Sequence, residues 1–420
     1  MNFCTDSYAR KSLCIIAFFC VAGMVLLREL LPMNFHFLVN IIALLFSFFV
    51  AGVLLGAIFS ESIQLRIAKL LHLQHLLLDR YARNPILRPG TRPWNAEAVL
   101  NPAAAVLGGR THLIYRAVGT DGVSRLGYAS SADGIVFDKL LPYPIYAARN
   151  PGGTLPSSQR RYSPVMYPSG GSCGGCEDPR MVLLDERIYV TFNMFDGWNS
   201  ICVAVISIAQ DDFLAGRFGE WNGPHILSKP HEIQKNWVLF PEKIDGRFAI
   251  LHSIAPEIEI AYRDSLEEVG TTEPFITSWI GSRNDLPARD GWDSFVRGAG
   301  PPPVRTDIGW LLLYHAFNEY DKGTTVGYRV GAMLLDLVDP TKVLYRAVAP
   351  ILSPDETYEN EGKPGVVYAC GAVVRDEKLF VYYGGADKVV CVATASLQSF
   401  LDALTEGGRP TLTPQKTQTM

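Results

Sequence analysis

A strand–turn–strand pattern recurs five times between residues 84 and 404, and it constrains the fold more than any other feature of the sequence. Each copy has a turn of Asp or Gly type, an apolar strand, a gap, a second strand and a polar exit. The first strands begin near Thr111, Arg187, Phe248, Trp310 and Leu379. Short Val, Ile, Leu, Tyr and Phe runs separated by Gly and Pro are typical of all-β domains. Five irregular copies predict an all-β fold, a five-bladed β-propeller.

Polar residues recur at one point of this repeat, directly after an apolar strand. Arg116 follows "LIY", His252 follows "AIL", His315 follows "LLLY" and Asp387 follows "YYGGA". The inner strands of a propeller converge on a central channel, so equivalent residues of different blades project towards one mouth. The pattern therefore predicts a polar pocket. Such a pocket suits a carbohydrate, another polar small ligand or a protein partner, because fold alone does not decide function.

Two apolar segments, residues 12–27 and 35–59, precede the repeat. The second is long enough for the roughly 20 residues that cross a bilayer. The first could also be a signal peptide, but no small-x-small cleavage site follows it. We therefore predict a two-helix membrane hairpin over residues 1–60. Basic residues flank the pair and favour both ends inside, which predicts a multi-pass membrane protein with a cytoplasmic propeller domain. These residues are Arg10, Lys11, Arg66, Lys69, Arg80 and Arg83.

The remaining segments adjoin the predicted propeller domain, residues 84–404. Residues 61–83 have Leu and Ile at helical spacing, which predicts an amphipathic linker helix. This helix lies on the membrane surface or packs on its own domain. Residues 405–420 are polar, with Pro, Thr and Gln, and we predict a disordered tail there.

Charge and cysteine usage narrow the classes of partner. The net charge is -4 and no Lys/Arg-rich run is present, so we expect no nucleic-acid partner. Cys173 and Cys176 form a CxxC pair that could be a redox pair or half of a zinc site. No second CxxC or His pair completes a metal site, and no P-loop is present. We therefore expect no metal and no nucleotide or redox cofactor.

Eight motifs, in one order along residues 84–404, resemble those of glycoside hydrolase family 130, which contains the β-mannoside phosphorylases. That many motifs together form a specific signal. The fold implied by the resemblance is a five-bladed propeller, in agreement with the repeat. The motifs are "NPIL", "LIYRAVG", "GCEDPRMV", "VLFPEKIDGRFAILH", "GAGPPPV", "GWLLLYHAF", "YRVGAMLLDLVDPTKVLYR" and "YYGGAD".

The resemblance implies a role for the "EDPR" motif, which follows a loop rich in glycine. The family's proton donor to the glycosidic oxygen matches Asp178, which in the phosphorylases acts through a sugar hydroxyl. A sugar alkoxide leaves poorly unless it is protonated as the bond breaks. Arg180 could hold a sugar hydroxyl or orient a carboxylate. The alternative from the residues alone is a solvated charged turn before a strand.

In a phosphorolytic member of the family, inorganic phosphate attacks the anomeric carbon from the face opposite the leaving group. Such a site needs several cations and hydrogen-bonding groups, because phosphate brings up to two negative charges into the pocket. The resemblance implies no cofactor, with inorganic phosphate as the co-substrate. The candidate substrate- and phosphate-binding residues are Arg116, Arg180, Lys235, Asn236, His252, Tyr314, His315, Tyr328 and Asp387.

The sequence departs from the phosphorylase pattern at two positions. Asn199 and Ser253 stand where the phosphorylases usually carry arginine, and losing two cations weakens phosphate binding more than sugar binding. Some family members hydrolyse β-1,2-mannosides instead, with a second carboxylate that activates water. Candidates for this carboxylate are Glu242, Glu361 and Asp387.

We therefore predict a membrane-tethered enzyme that cleaves β-mannosidic bonds with inversion in an oligosaccharide or glycolipid. Phosphorolysis to mannose 1-phosphate is favoured because most of the motif set is shared, and hydrolysis is the alternative. Two other classes stay open. One is a non-catalytic propeller that binds glycan or protein. The other is a transferase that builds β-mannosides on a lipid-linked acceptor.

Overall fold

The computed structural model describes residues 40–41, 77–149, 156–167, 169–195, 201–228, 233–255, 258–267, 292–318, 327–407 and 409–410. The chain divides into two units, residues 1–71 and 72–420. All strands and helices named below belong to the second unit, which contains the sequence repeat.

The described strands form five antiparallel units that follow one another along the chain, and we call them blades 1 to 5. Blade 1 contains β2 (Ala98–Leu107), β3 (Arg110–Val118), β4 (Val123–Ser131) and β5 (Phe137–Leu140). Blade 2 contains β6 (Gly174–Leu184), β7 (Arg187–Phe195), β8 (Ile201–Ala209) and β9 (Asn222–Ile226). A short parallel pairing between β4 and β6 joins these two blades into one sheet.

The other three blades continue the pattern. Blade 3 contains β10 (Val238–Leu239), β11 (Phe248–Ser253) and β12 (Glu259–Arg263). Blade 4 contains β13 (Phe295–Ala299), β14 (Val304–Thr306), β15 (Gly309–Phe317), β16 (Arg329–Leu335), β17 (Val343–Arg346) and β21 (Arg409–Pro410). Blade 5 contains β18 (Val367–Arg375), β19 (Lys378–Gly385), β20 (Val389–Ser396) and β1 (Asp79–Arg80). Two short helices, α1 (Gln210–Leu214) and α2 (Leu397–Gly407), follow blade strands β8 and β20.

Tight hairpin turns connect the first and second strands of the blades. Four of them have two successive residues with positive φ, the backbone that matches the right-handed twist of the flanking strands. This geometry accounts for the Asp and Gly residues that mark each repeat in the sequence. The turn residues are Gly108–Gly109, Asp185–Glu186, Asp245–Gly246 and Asp376–Glu377.

Five large apolar clusters of the described residues form most of the core, one between each pair of neighbouring blades, and a small sixth cluster lies within blade 1. Successive residues of one strand point to opposite faces and therefore enter different clusters. In β15, Leu311 and Leu313 pack towards blade 5, whereas Trp310, Leu312 and Tyr314 pack towards blade 3. Strands that are buried on both faces have continuous apolar sequences. For this reason "WLLLY" in β15 shows no alternation of apolar and polar residues.

The blades contact one another in a closed ring, as a five-bladed propeller requires. β2 packs against both β6 and β18, β6 packs against β10, β11 against β13, and β14 against β18. β1 completes blade 5 by pairing with β20, so a segment from before the repeat closes the last sheet. Closure of this kind protects the sheet edges of the ring.

An ion pair fixes the closing strand to blade 5. The Arg80 guanidinium donates to both carboxylate oxygens of Glu359, at 2.8 and 3.0 Å, and also to the backbone carbonyl of Ser353. Glu359 is fully buried and also accepts a hydrogen bond from the Tyr383 hydroxyl at 2.8 Å. A buried carboxylate needs such partners, because its desolvation costs several kcal/mol.

Three sequence predictions about the segments around the propeller need correction. The predicted N-terminal membrane hairpin and the multi-pass membrane location are not supported, because no helix among the described residues is long and apolar enough to cross a membrane. The longest, α2, has 11 residues and extends about 16 Å, against a bilayer core of about 30 Å. The fold class is therefore corrected to a mostly β fold with two short helices. The predicted spans themselves lie outside the described residues, apart from residues 40–41.

The flanking segments also differ from expectation where they are described. The linker helix was predicted over residues 61–83, but Asp79–Arg80 is a strand; residues 61–76 lie outside the described part. The tail was predicted to be disordered from residue 405, yet α2 extends to Gly407 and Arg409–Pro410 pairs with β17. Residues 411–420 lie outside the described part.

Replacing Arg80 should destabilise the ring. Arg80→Ala leaves the buried Glu359 carboxylate without its cation, and we expect the free energy of unfolding to fall by roughly 3–5 kcal/mol. Urea unfolding of the full chain measures this loss. Arg83→Ala is the matched control, because Arg83 is exposed and its charged group lies over the Tyr81 ring; its effect should stay within about 0.5 kcal/mol. Equal losses in the two variants would contradict the assigned role of the ion pair.

Candidate active site

A pocket of about 320 Å³ opens where the five blades meet. Its wall combines cations, carboxylates, amides and aromatic rings with a few apolar side chains, a composition typical of sites that bind polar ligands. The lining residues are Asn101, Arg116, Ser169, Gly170, Asp178, Ile201, Ile233, Lys235, Asn236, Arg297, Tyr328, Lys363, Val366, Tyr368 and Asp387.

Four of the lining residues are Asn or Asp in the left-handed backbone region. Asn101, Asp178, Asn236 and Asp387 have φ values of 48°, 51°, 65° and 53°. Asn and Asp tolerate this conformation better than other residues with a Cβ. β-Bulges lie beside two of them, between Leu100 and Ala103 in β2 and between Glu177 and Arg180 in β6. A bulge re-aims a side chain, and here it turns Asn101 and Asp178 into the pocket.

The two oxygens of Asp178 have different surroundings. Oδ1 accepts hydrogen bonds from Asn101 Nδ2 at 2.7 Å and from Arg116 Nη1 at 3.1 Å. Oδ2 has no protein hydrogen-bond partner within the described part of the chain, and the residue is 6% exposed, towards the pocket. Arg180 fixes the backbone from behind, since its Nη1 donates to the Asp178 carbonyl at 2.7 Å. One carboxylate oxygen is thus held by the protein and the other is available to a ligand.

A buried charge network lies behind Asp178. Arg116 is 1% exposed and donates to Glu177 Oε1 at 2.9 Å, to Ser172 Oγ at 2.8 Å and to the Ser169 carbonyl at 2.7 Å. Glu177 is fully buried, and its Oε2 accepts from Lys235 Nζ at 2.9 Å. The network therefore fixes the positions of Arg116 and Lys235, two cations that line the pocket.

The glycine loop before β6 exists because backbone must approach this network closely. At Gly170, with φ 66°, a Cβ would lie 2.9 Å from the Arg116 guanidinium. At Gly175, with φ 107°, a Cβ would lie 2.1 Å from the Ser124 carbonyl oxygen. Only glycine fits both the space and the positive φ. This answers why a glycine-rich stretch precedes the "EDPR" motif.

The two pocket carboxyl groups respond differently to burial. Burial alone would raise the pKa of Asp178, but the charges of Arg116, Arg180 and Lys235 outweigh burial and hold the pKa below its usual value. Burial raises the pKa of Asp387, and the nearby cations Lys363 and Arg116 do not fully offset it. Of the two, Asp178 is the carboxyl group whose ionised form its surroundings favour.

An aromatic wall faces the carboxylates. The Tyr368 hydroxyl donates to Asn236 Oδ1 at 2.9 Å, and its ring stacks on His315 with centroids 3.7 Å apart. His315 Nε2 accepts from the Ala369 N–H at 2.9 Å, which orients the imidazole. Burial lowers the pKa of His315 to about 3, so its ring is neutral. The Tyr328 ring meets the Tyr368 ring edge-on at 6.2 Å.

The structure brings most of the predicted site residues to one place. Asp178, Arg116, Lys235, Asn236, Tyr328 and Asp387 line the pocket. Arg180 and His315 lie directly behind it. Their contacts, to the Asp178 carbonyl and to Tyr368, support lining residues rather than a ligand.

The remaining predicted residues lie elsewhere. His252 is at a register shift in β11 and packs on Trp237, with centroids 5.4 Å apart. Tyr314 donates to Asp293 at 2.7 Å within the core between blades 3 and 4. Glu242 is exposed beside Arg305, with oxygen and nitrogen 3.3 Å apart, and Glu361 is also exposed. Neither glutamate lines the pocket.

Five lining residues with polar side chains escaped the sequence prediction. Asn101 had a detectable signal, because "LNP" in blade 1 occupies the position of "EDP" in blade 2. Ser169 and Lys363 lie in loops and Arg297 at a bulge, where side-chain direction does not follow the strand period, whereas Tyr368 lies near the start of β18. The missed residues are Asn101, Ser169, Arg297, Lys363 and Tyr368. Among the residues whose placement is described, no cluster of His, Cys, Asp and Glu has the arrangement of a metal site.

Comparison with known proteins identifies relatives of this site. A sequence model of the β-1,4-mannooligosaccharide phosphorylase family, glycoside hydrolase family 130, matches residues 79–406. The chain is 35% identical over 336 residues to a 1,2-β-oligomannan phosphorylase of Thermoanaerobacter sp. strain X514, covering 76% of this chain and 98% of that protein. It is 32% identical to a β-1,2-mannobiose phosphorylase of the same strain, covering 75% of this chain and 96% of the relative.

A solved structure extends the comparison to the fold. The β-1,2-mannobiose phosphorylase of Listeria innocua, in complex with β-1,2-mannobiose, superposes with a TM-score of 0.57. The match covers 78% of this chain and 99% of the other at 24% identity, and at that identity it shows the fold alone. The family model and the two Thermoanaerobacter relatives span nearly the whole propeller. The chain therefore belongs to glycoside hydrolase family 130, the enzyme family that contains the β-mannoside phosphorylases.

Proposed function

We propose that this enzyme cleaves β-mannosidic bonds by phosphorolysis, with inversion, and that β-1,2-linked mannooligosaccharides are its substrates. The observation that carries the proposal is the divided role of the Asp178 carboxylate. Asn101 and Arg116 hold Oδ1, and Oδ2 is open to a pocket rich in cations. Both relatives described above are phosphorylases of β-1,2-linked mannosides, which supports the linkage.

The reaction needs a proton donor for the departing sugar oxygen and a nucleophile on the opposite face of the anomeric carbon. Asp178 supplies the proton, through a hydroxyl of the bound sugar, as the glycosidic bond breaks. A phosphate oxygen forms the new bond to the anomeric carbon, and the product is mannose 1-phosphate. No redox step or electron carrier is involved.

The charge balance of the pocket favours an anionic co-substrate. Five cationic side chains meet here against three carboxylates, which leaves an excess of two positive charges. Phosphate carries up to two negative charges at neutral pH and forms strong charge-assisted hydrogen bonds with Arg and Lys. The cations are Arg116, Arg180, Lys235, Arg297 and Lys363, and the carboxylates are Glu177, Asp178 and Asp387.

Hydrolysis is the alternative within the family, and it needs a second carboxylate that activates water. Of the three predicted candidates, only Asp387 lines the pocket, where it pairs with Lys363 at 3.4 Å. Burial raises the pKa of Asp387, and a raised pKa is compatible with a general base. The phosphate dependence of product release therefore distinguishes the two reactions, whereas this carboxyl group does not.

Removing the proton donor should abolish phosphorolysis. With β-1,2-mannobiose and phosphate, we expect Asp178→Asn to lower the rate of mannose 1-phosphate release by about 10²- to 10⁴-fold, the usual contribution of a general acid. Asp185→Asn is the matched control, since Asp185 lies at the far end of the same hairpin in an exposed pair with Lys243. Chromatography of the products, with and without phosphate, measures both reactions.

The products also separate the competing reactions. Free mannose released by the parent at an unchanged rate without phosphate would establish hydrolysis in place of phosphorolysis. Full activity in Asp178→Asn would show that Asp178 is not the proton donor. Sugar binding without turnover in either protein would make the chain a glycan-binding propeller.

Phosphate binding should depend on pH through Asp178. The cations lower the pKa of this carboxyl group in the empty pocket, so it is ionised at neutral pH. Phosphate beside the same cations adds negative charge and raises that pKa. The complex then takes up protons, and affinity rises as pH falls through the raised pKa of the complex towards the lower pKa of the free site.

Calorimetric titration with phosphate in buffers of different ionisation enthalpy measures this proton uptake. Asp178→Asn should reduce the uptake by the share that belongs to the carboxyl group. Equal uptake in parent and variant would assign all of it to the second ionisation of phosphate itself, and the predicted coupling would then be wrong.

A further inference from the structure

Arg297 occupies an unusual place in the pocket wall. It lies in β13 of blade 4, at the register shift between Val296 and Gly298 that interrupts pairing with β15. The shift turns its side chain out of the strand pattern and into the pocket, where it is a lining residue. Its backbone carbonyl is 3.5 Å from Asn236 Nδ2, so it sits next to the segment that carries Lys235.

The other cations at the pocket already have protein partners. Arg116 donates to Glu177 and Asp178, Lys235 donates to Glu177, and Lys363 pairs with Asp387. Within the described part of the chain, the Arg297 guanidinium has no hydrogen-bond or ion-pair partner. A guanidinium aimed into a pocket with its donors unused is ready to bind an anion in a bidentate manner.

The charge excess at the site points to the same residue. Each of the three carboxylates is paired with one of the other cations. The positive charge that remains uncompensated therefore lies on Arg297 and, behind Asp178, on Arg180. Arg180 is engaged with backbone carbonyls and with Asn236 Oδ1, so Arg297 is the one of these two cations whose donors can reach a ligand.

We propose that Arg297 is the phosphate-selecting residue of this enzyme: its guanidinium, beside Lys235, binds the incoming phosphate and favours it over water as the nucleophile. This inference rests on the proposed phosphorolysis and names a residue for it. It also accounts for phosphate use in a chain that has Asn199 and Ser253 where two arginines are expected. The cation comes from blade 4 instead of blades 2 and 3.

The test compares Arg297→Met and Arg297→Lys with the full-length parent. Arg297→Met keeps a long side chain but removes the charge and donors. We expect its KM for phosphate to rise roughly 10- to 100-fold, as loss of a charge-assisted hydrogen bond predicts. Its KM for β-1,2-mannobiose should change by less than about 2-fold, since sugar contacts remain. Arg297→Lys restores the positive charge but not the paired donors of the guanidinium group. Its KM for phosphate should therefore lie between those of the parent and Arg297→Met.

Arg305→Met is the matched control. Arg305 is another arginine of blade 4, but it is exposed beside Glu242, away from the pocket. Its kinetic constants should equal those of the parent. Thermal unfolding of all four proteins confirms that each is folded, and direct calorimetric titration with inorganic phosphate alone measures anion binding without turnover.

The outcomes separate this inference from the proposed function. An unchanged KM and Kd for phosphate in Arg297→Met would overturn the inference, even if the parent is a phosphorylase. A rise in the KM for mannobiose alone would also overturn it and would place Arg297 at the leaving sugar. If the parent binds phosphate through Arg297 but cleaves no mannoside, the proposed function is wrong and the role of Arg297 in phosphate binding stands. A parent that binds no phosphate defeats both.

Discussion

The contact between Arg116 and the carboxylates of Glu177 and Asp178 is the interaction on which the rest of the site depends. It joins blade 1 to blade 2 through a guanidinium that is almost completely removed from solvent. A buried ion pair stabilises only when its remaining donors and acceptors are also satisfied, and here two serines and a backbone carbonyl meet that need. The glycine loop exists to let backbone approach this centre.

The same centre bears on the proposed role of Asp178 as general acid. That role requires a proton on the carboxyl group, yet the surrounding cations favour its ionised form. In the proposed mechanism this conflict is resolved because bound phosphate neutralises those cations. Asp178 would then be protonated only in the phosphate complex, which would limit cleavage of the glycosidic bond by water in the absence of phosphate.

The sequence was informative wherever local chemistry decides structure. Turn residues and apolar runs located the strands, because every blade buries both faces against its neighbours. The "EDPR" motif indicated Asp178 through its resemblance to the family, and the structure places this residue in a backbone conformation that Asn and Asp tolerate better than most residues. Prediction failed at His252 and Arg297, where a register shift changes the face on which a side chain lies. The prediction of a membrane hairpin in the apolar N-terminal segments is also not supported. Hydrophobicity alone does not distinguish a segment that is buried in lipid from one that is buried against protein.

The closing strand β1 has a consequence for how the chain is made. During synthesis β1 leaves the ribosome before any other strand of the propeller, but its partner β20 is among the last. Among the described residues, the five large apolar clusters are each shared by two neighbouring blades. The ring can therefore close only after nearly the whole domain has been translated. A chain that stops early leaves two unpaired sheet edges, which a quality-control protease or chaperone can recognise.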